Sequence, residues 1–268
     1  MADKKIKGIK LKSFANYKNP PINEVSCGIR FQTPDKLHIP HIGLLWDKYF
    51  KSEYPVIQHA LPITTVRGEV PIDTITRLPL PRVWFINKSN DQLVQFQFDR
   101  FYYNWRRMNN IYPHYPFVIE KFKSVYNNII DFFDENEIGK LIPIEYELTY
   151  TNYVPKGDGW DSLDDLPKIF SDFVWRQTKK RFLPNPINLN WHAEFPLPDK
   201  KGNLIINLKH AILANDKLPV LVFDLTVRGI SEEDIIKWFD LAHEWIIQGF
   251  IDLTAPEIRR YWESEKNV

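Results

Sequence analysis

The chain has 268 residues, 44% of them hydrophobic and 26% charged, with 35 Lys and Arg against 34 Asp and Glu. That balance argues against a dedicated nucleic-acid domain, which carries a basic excess, while leaving room for a local basic stripe. A single cysteine, Cys27, excludes an internal disulfide. The start MADKKIKGIKLKSF lacks the apolar run of a secretory signal, and no stretch approaches the roughly 18 apolar residues of a membrane span. A cytoplasmic protein without membrane attachment is expected.

In chain order, NEVSCGIRFQ alternates. Val25, Cys27, Ile29 and Phe31 share one face, and Glu24, Ser26, Gly28 and Arg30 the other, as in a half-buried strand. IPHIGLLWDKYFKSEYP places Ile42, Leu45, Trp46 and Tyr49 at helical spacing, with Pro40 in the first turn and Pro55 at the end. Pro62, Pro71, Pro79 and Pro81 then reduce residues 56–82 to short edge strands and loop, before VWFIN forms a strand. VQFQFDRFYYNWRR predicts a hairpin with a two-residue turn at Asp99 and Arg100. Phe98 then faces Phe101, Gln97 faces Tyr102, Gln95 faces Asn104 and Val94 faces Trp105. Val94, Phe96, Phe98, Phe101, Tyr103 and Trp105 turn inward, leaving Gln95, Gln97, Tyr102, Asn104 and Arg106 outside, with Arg107 ending the strip. YPFVIEKFKSVYNNIIDFFDENEIGK is an amphipathic helix with its stripe at Val118, Phe122, Val125, Ile129 and Phe133, opened by Pro116 and closed by Gly139.

A second round follows. IPIEYELTYTNY alternates, with Ile144, Tyr146, Leu148 and Tyr150 on one face. DSLDDLPKIFSDF predicts a short helix capped by Asp161 or Ser162. INLNWHAEF alternates with Ile187, Leu189, Trp191, Ala193 and Phe195 inward. LIINLKHA and LPVLVFDLTV follow as strands joined by a turn at ANDK. The last long helix, SEEDIIKWFDLAHEWIIQGFIDL, buries Ile235, Phe239, Ala242, Ile246, Phe250 and Leu253. Ser231 with Asp234 resembles a capping box at its start, and Thr254 with Glu257 a second box restarting a short helix.

The expected class is α+β in two similar halves, residues 1–139 and 140–268. Each runs strand, helix, antiparallel strands, long helix, with a curved sheet and helices packed on one face. By analogy the order is similar to the duplicated saddle of TATA-binding proteins and to helix-grip folds, and fold analogy carries no function. Three stretches together, NPPINEVSCGIRF, LVQFQFDRFYYNWRR with the following YPHYPF, and LAHEWIIQGFIDLTAPEIRRYW, resemble a sporadically distributed family of uncharacterised bacterial proteins of about this length. Gln95, Asp99, Arg100, Phe101, Asn104, Trp105 and Arg106 are the most specific part. The resemblance implies patchy occurrence, which suits mobile phage-defence or toxin–antitoxin loci, and it carries no catalytic residue or cofactor.

No motif compels a chemistry. His38 and His41 flank Pro40 at a helix start, and the lone cysteine removes the usual zinc thiolates. His192 and Glu194 form H-x-E without the Pro-Cys-x-x-Cys of zinc deaminases. His243-Glu244 lacks the second histidine of H-E-x-x-H. Cys27 sits inward and reads as inert. KGDGWD is no phosphate loop, and Arg107 with His114 matches a ribonuclease spacing only loosely. The remaining signal is the polar sheet face. Its candidates are Gln95, Gln97, Tyr102, Asn104, Arg106 and Arg107 in the first half, and Asn190, His192, Glu194 and Lys209 in the second. The expected function is non-catalytic, with a protein partner or a second copy of the chain on that face and no cofactor or metal. The alternatives are nucleic-acid binding through phosphate contact and stacking and a nuclease or hydrolase with a dispersed site.

Overall fold

The structure, a computed structural model, describes residues 19–64, 72, 77, 81–108, 111–175, 182–184, 186–213, 217–232 and 234–263. Among the described residues nine strands form one antiparallel sheet: β1 (Ile22–Phe31), β2 (Val56–Ala60), β3 (Arg82–Ile86), β4 (Gln92–Gln97), β5 (Arg100–Arg106), β6 (Pro143–Pro155), β7 (Asn190–Pro196), β8 (Asn203–Ile212) and β9 (Pro219–Gly229). Their spatial order is β2-β3-β4-β5-β1-β6-β9-β8-β7. The β1/β6 pair is therefore central, with Cys27 opposite Leu148.

The α-helices of the described residues are α1 (Ile39–Leu45), α2 (His114–Glu135), α3 (Leu166–Ile169), α4 (Ile235–Leu253) and α5 (Pro256–Glu263). The protein is thus a mixed α+β fold. Helix α2 packs on β5 and β1, and α4 on β9, β6 and β8. Alternation explains the core. Val25, Cys27 and Ile29 on β1, Phe101, Tyr103 and Trp105 on β5, and Leu148 and Tyr150 on β6 all point under the helices and are buried. The stripe of α2 meets that of α4 where the Phe122 and Phe239 rings lie 4.6 Å apart. Burying one such ring contributes about 2 kcal/mol.

The hairpin turns at Phe98 and Asp99, one residue before the predicted position. Gln97 faces Arg100, Phe96 faces Phe101, Gln95 faces Tyr102 and Val94 faces Tyr103. Each residue thus pairs two positions away from the expected partner, an even shift that keeps Phe96, Phe101, Tyr103 and Trp105 on the inner face. Asp99 fixes the turn by accepting from Arg100 Nη2 at 2.7 Å and Gln97 Nε2 at 3.0 Å.

Other boundaries move too. Helix α2 starts at His114, which puts Pro116 inside the first turn, where its missing N–H breaks no bond. The cap of α4 is Asp234 and not Ser231, because the helix begins only at Ile235; its carboxylate accepts from the Ile236 and Lys237 amides. Thr254 bonds back to the Phe250 carbonyl, so it closes α4. Ser162 caps a single 3-10 turn, Leu163–Asp165, in a capping box with Asp165, and α3 follows it directly. Ile187, expected inward, is 93% exposed, since it lies outside β7, which begins at Asn190, and the pairing with β8 reaches back only to Leu189, whose carbonyl accepts from the His210 amide at 2.9 Å. Edge position also leaves Phe195 partly exposed. Most of residues 65–80, and residues 214–216 of the predicted ANDK turn, lie outside the described residues.

Candidate functional site

Register brings the polar candidates into rows. Arg106, Glu24, Thr151, Asp224, Asn207 and His192 lie side by side on six adjacent strands, about 4.8 Å apart. A second row runs Trp84, Gln95, Tyr102, Gly28, Glu147, Arg228 and Asn203. Among the described residues no helix packs on this face; the chain after β2 crosses one end of it. There Gln97 grips Ile63, accepting from its amide at 2.9 Å and donating to its carbonyl at 3.1 Å, which leaves Gln97 only 1% exposed.

Glycine shapes the centre. A Cβ on Gly28 would sit 2.0 Å from Tyr102 Cδ1, so the Tyr102 ring lies flat over this residue. Tyr102 is therefore 8% exposed and offers no free stacking platform. Burial and the Glu147 carboxylate push its hydroxyl well above the ordinary phenol range. Beside it, Gln95 Nε2 donates to Asn104 Oδ1 at 2.8 Å, and Asn104 Nδ2 donates to Glu24 Oε1 at 2.5 Å. Asn104 is 2% exposed: it points to the polar side as predicted, but its neighbours cover it.

Cations on the face are largely paired. Arg30 pairs with Glu145 at 3.4 Å, Arg228 with Glu147 at 2.6 Å and Arg100 with Asp99 at 2.7 Å. Arg106 donates to Asn90 Oδ1 at 2.5 Å and lies over the Trp84 ring at 5.9 Å. Arg107 follows the alternation away from Arg106 and donates to the Pro20 carbonyl at 2.9 Å, beyond the sheet. Glu24 and Asp224 are both raised above their usual carboxylate values, chiefly by burial. Asn104 and Arg106 oppose the shift at Glu24 while Asp224 adds to it, and Thr151 and Lys209 oppose it at Asp224.

Five buried side-chain polar atoms have no hydrogen-bond partner among the described residues: Arg82 Nε, the Trp84 indole N–H, Arg106 Nε and Asp224 Oδ1 on this face, and Arg107 Nε off it. Buried polar groups are otherwise nearly always paired.

The outer strands differ. His192 Nδ1 lies 2.8 Å from Asn207 Oδ1 and Nε2 lies 3.1 Å from Glu194 Oε1. These bonds, that to Asn207 foremost, raise the imidazole above its ordinary value. Asn190 and Lys209 are exposed nearby and opposite one another. The candidates therefore form two groups, Gln95, Gln97, Tyr102, Asn104 and Arg106 toward one end and Asn190, His192, Glu194 and Lys209 toward the other. Arg107 belongs to neither.

On the helix side the sequence reading missed a cleft of about 770 Å³ between the start of α2 and the middle of α4. Its floor is Tyr150, Asn152 and Leu225. The Tyr112 and Tyr150 hydroxyls meet at 2.9 Å, and Tyr150 meets His243 Nδ1 at 3.0 Å. Tyr115 stacks on His243 at 3.9 Å and donates to Asp240 Oδ1 at 3.0 Å. Burial lowers the His243 pKa to about 4, so the ring is neutral at pH 7. The signal lay in DLAHEW, where Asp240 and His243 sit one turn apart on α4, but their tyrosine partners come from distant segments.

His38 and His41 serve the start of α1, with His41 Nδ1 accepting from the His38 amide at 2.9 Å. Cys27 is fully buried and its thiol is pushed far up by burial. Among the described residues no three His, Cys, Asp or Glu side chains converge as a metal set, and no helix is long and apolar enough to cross a membrane. Comparisons of the chain with protein-family models, with curated proteins and with solved structures find no match.

Proposed function

We propose that the protein acts by binding and not by catalysis, as a partner or regulatory subunit in a mobile phage-defence or toxin–antitoxin type locus, and that it docks another protein on the polar sheet face. The observation that supports the docking surface is that no helix packs on this face among the described residues and that Asn190, His192, Glu194 and Lys209 stand exposed on it. Amide, imidazole, carboxylate and ammonium groups together suit the mixed backbone and side-chain groups of a protein surface. The ion pairs of Arg30, Arg100 and Arg228 cancel much of the positive field that a phosphate backbone needs. The locus rests on the family resemblance alone. The same proposal includes membership of that family, a cytoplasmic location and a pseudo-repeat of residues 1–139 and 140–268. The repeat is supported by the strand order outward from the centre, β1-β5-β4-β3 on one side and β6-β9-β8-β7 on the other.

A second reading, nucleic-acid binding, is favoured by one feature: Trp84 lies under both Arg82 at 5.4 Å and Arg106 at 5.9 Å, a ring with two cations beside it. One experiment separates the two. The protein is co-expressed with each protein encoded beside its gene, and is separately titrated with single-stranded and duplex oligonucleotides across a salt series. A stoichiometric complex that Lys209→Glu or Trp84→Ala weakens supports the docking reading. Heparin retention with a steep salt-dependent loss of oligonucleotide affinity, and no such complex, replaces it with the second.

A further inference from the structure

The cleft between α2 and α4 lies on the opposite side of the sheet from the proposed docking face, and its chemistry is different. At about 770 Å³ it falls within the usual range of small-molecule sites, roughly 300–1,000 Å³. Proline and isoleucine make up much of the wall, including Pro20, Pro116, Ile119 and Ile247. Aromatic rings from Tyr112, Tyr115 and Phe250 complete it. Neither lysine nor arginine lines it, while two carboxylates, Glu120 and Asp240, do. An anion entering this space would lose its hydration and gain no counter-charge.

The polar groups converge at one place. Tyr112, Tyr150 and His243 form a hydrogen-bonded chain that can run in either direction. With a proton on Nδ1, His243 donates to Tyr150, Tyr150 donates to Tyr112, and the Tyr112 hydroxyl is left to donate. With the opposite tautomer the chain reverses and Tyr112 accepts. Burial holds the His243 ring neutral at pH 7, so Nδ1 carries a proton in one tautomer and a lone pair in the other. Because Tyr115 covers one face of the imidazole at 3.9 Å, the chain is backed by a flat aromatic surface.

We infer that this cleft is a binding site for an uncharged, ring-bearing organic molecule, held by its apolar body between α2 and α4 and by one hydroxyl, carbonyl or ring nitrogen at Tyr112. Such a site makes the protein a ligand-responsive binder, because the occupant touches both long helices at once.

The test uses the full chain and two fluorescent probes, neutral Nile red and the anionic anilinonaphthalene sulfonate, with thermal melts as the folding control. The expected result is saturable one-to-one binding of Nile red with blue-shifted emission, and anionic-dye affinity at least about tenfold weaker. Ile247→Trp, which fills the cleft from α4, abolishes Nile red binding. Tyr112→Phe, which keeps the ring and removes the hydroxyl, weakens it about fivefold. Absence of saturable Nile red binding to the folded wild-type chain overturns the proposal. So does equal binding to folded Ile247→Trp, or preference for the anionic dye.

Discussion

The two ends of the polar sheet face obey the same alternation and end in different states. On β4 and β5, Gln97 and Asn104 are 1% and 2% exposed, Gln97 bonded to Ile63 and Asn104 to Gln95 and Glu24. On β7, the His192 and Glu194 side chains are 53% and 49% exposed. Strand period assigns a residue to a face; it does not say how deeply neighbours cover it. Tyr102 lying flat on Gly28, Trp84 under two arginines and the Ile63 crossing bury one end. At the other end β7 is the edge of the sheet, with a neighbour on one side only. The energetic weight of a polar residue should follow this coverage.

The largest effect is expected where coverage is tightest. Gly28→Val drives a side chain into the Tyr102 ring and should destabilise the fold by about 3 kcal/mol or more in chemical denaturation. If the clash with Tyr102 is the cause, adding Tyr102→Ala should give a double variant less destabilised than the sum of the two singles, with coupling of about 1–3 kcal/mol.

A buried group on the helix side extends the comparison. His243 has a folded pKa of about 4 against an ordinary 6.5, so the unfolded chain binds more protons between those values. Its contribution is complete above pH 6.5 and is lost as pH falls toward 4, about 3 kcal/mol in all. Glu24 and Asp224, raised by burial, act with the opposite sign: their contribution is present at low pH and fades as pH rises through their folded values. Stability measured from pH 7 to 4 should therefore fall more steeply in the wild type than in His243→Gln. Equal slopes would remove the histidine from this account.

Asn104→Leu comes next. It strips Gln95 and Glu24 of a shared partner and should be destabilising by about 2 kcal/mol, with Glu24→Gln in the same chain recovering part of the loss. Smallest is His192→Ala at the exposed edge, expected to change stability by under about 0.5 kcal/mol. A His192→Ala effect matching that of Asn104→Leu would erase the distinction between the two ends.

Much of the fold was legible because it depends on local period. The alternation of NEVSCGIRFQ and IPIEYELTYTNY and the stripe of α2 all appear where expected, and even the misplaced hairpin turn left its rings inside. What was not legible depends on pairs far apart in the chain. Nothing in β4 and β5 announces that residue 63 will close over Gln97, or that the face candidates end as one buried and one exposed group. The cleft was hidden for the same reason: Tyr112 lies in the loop before α2, Tyr150 on β6 and His243 on α4. Ile187 shows the converse limit, an alternating residue that finds no strand to join.

The central claim is that the polar sheet face, and not the helix side, receives the partner. Cys27 is buried and unreactive, so one introduced cysteine can carry a fluorophore alone. The measurement compares His192→Cys on the face with Gln248→Cys on the exposed side of α4 as each protein encoded beside the gene is added. The account predicts a saturating emission change from the label at residue 192 and none from that at 248. A response confined to the label at 248 would contradict it.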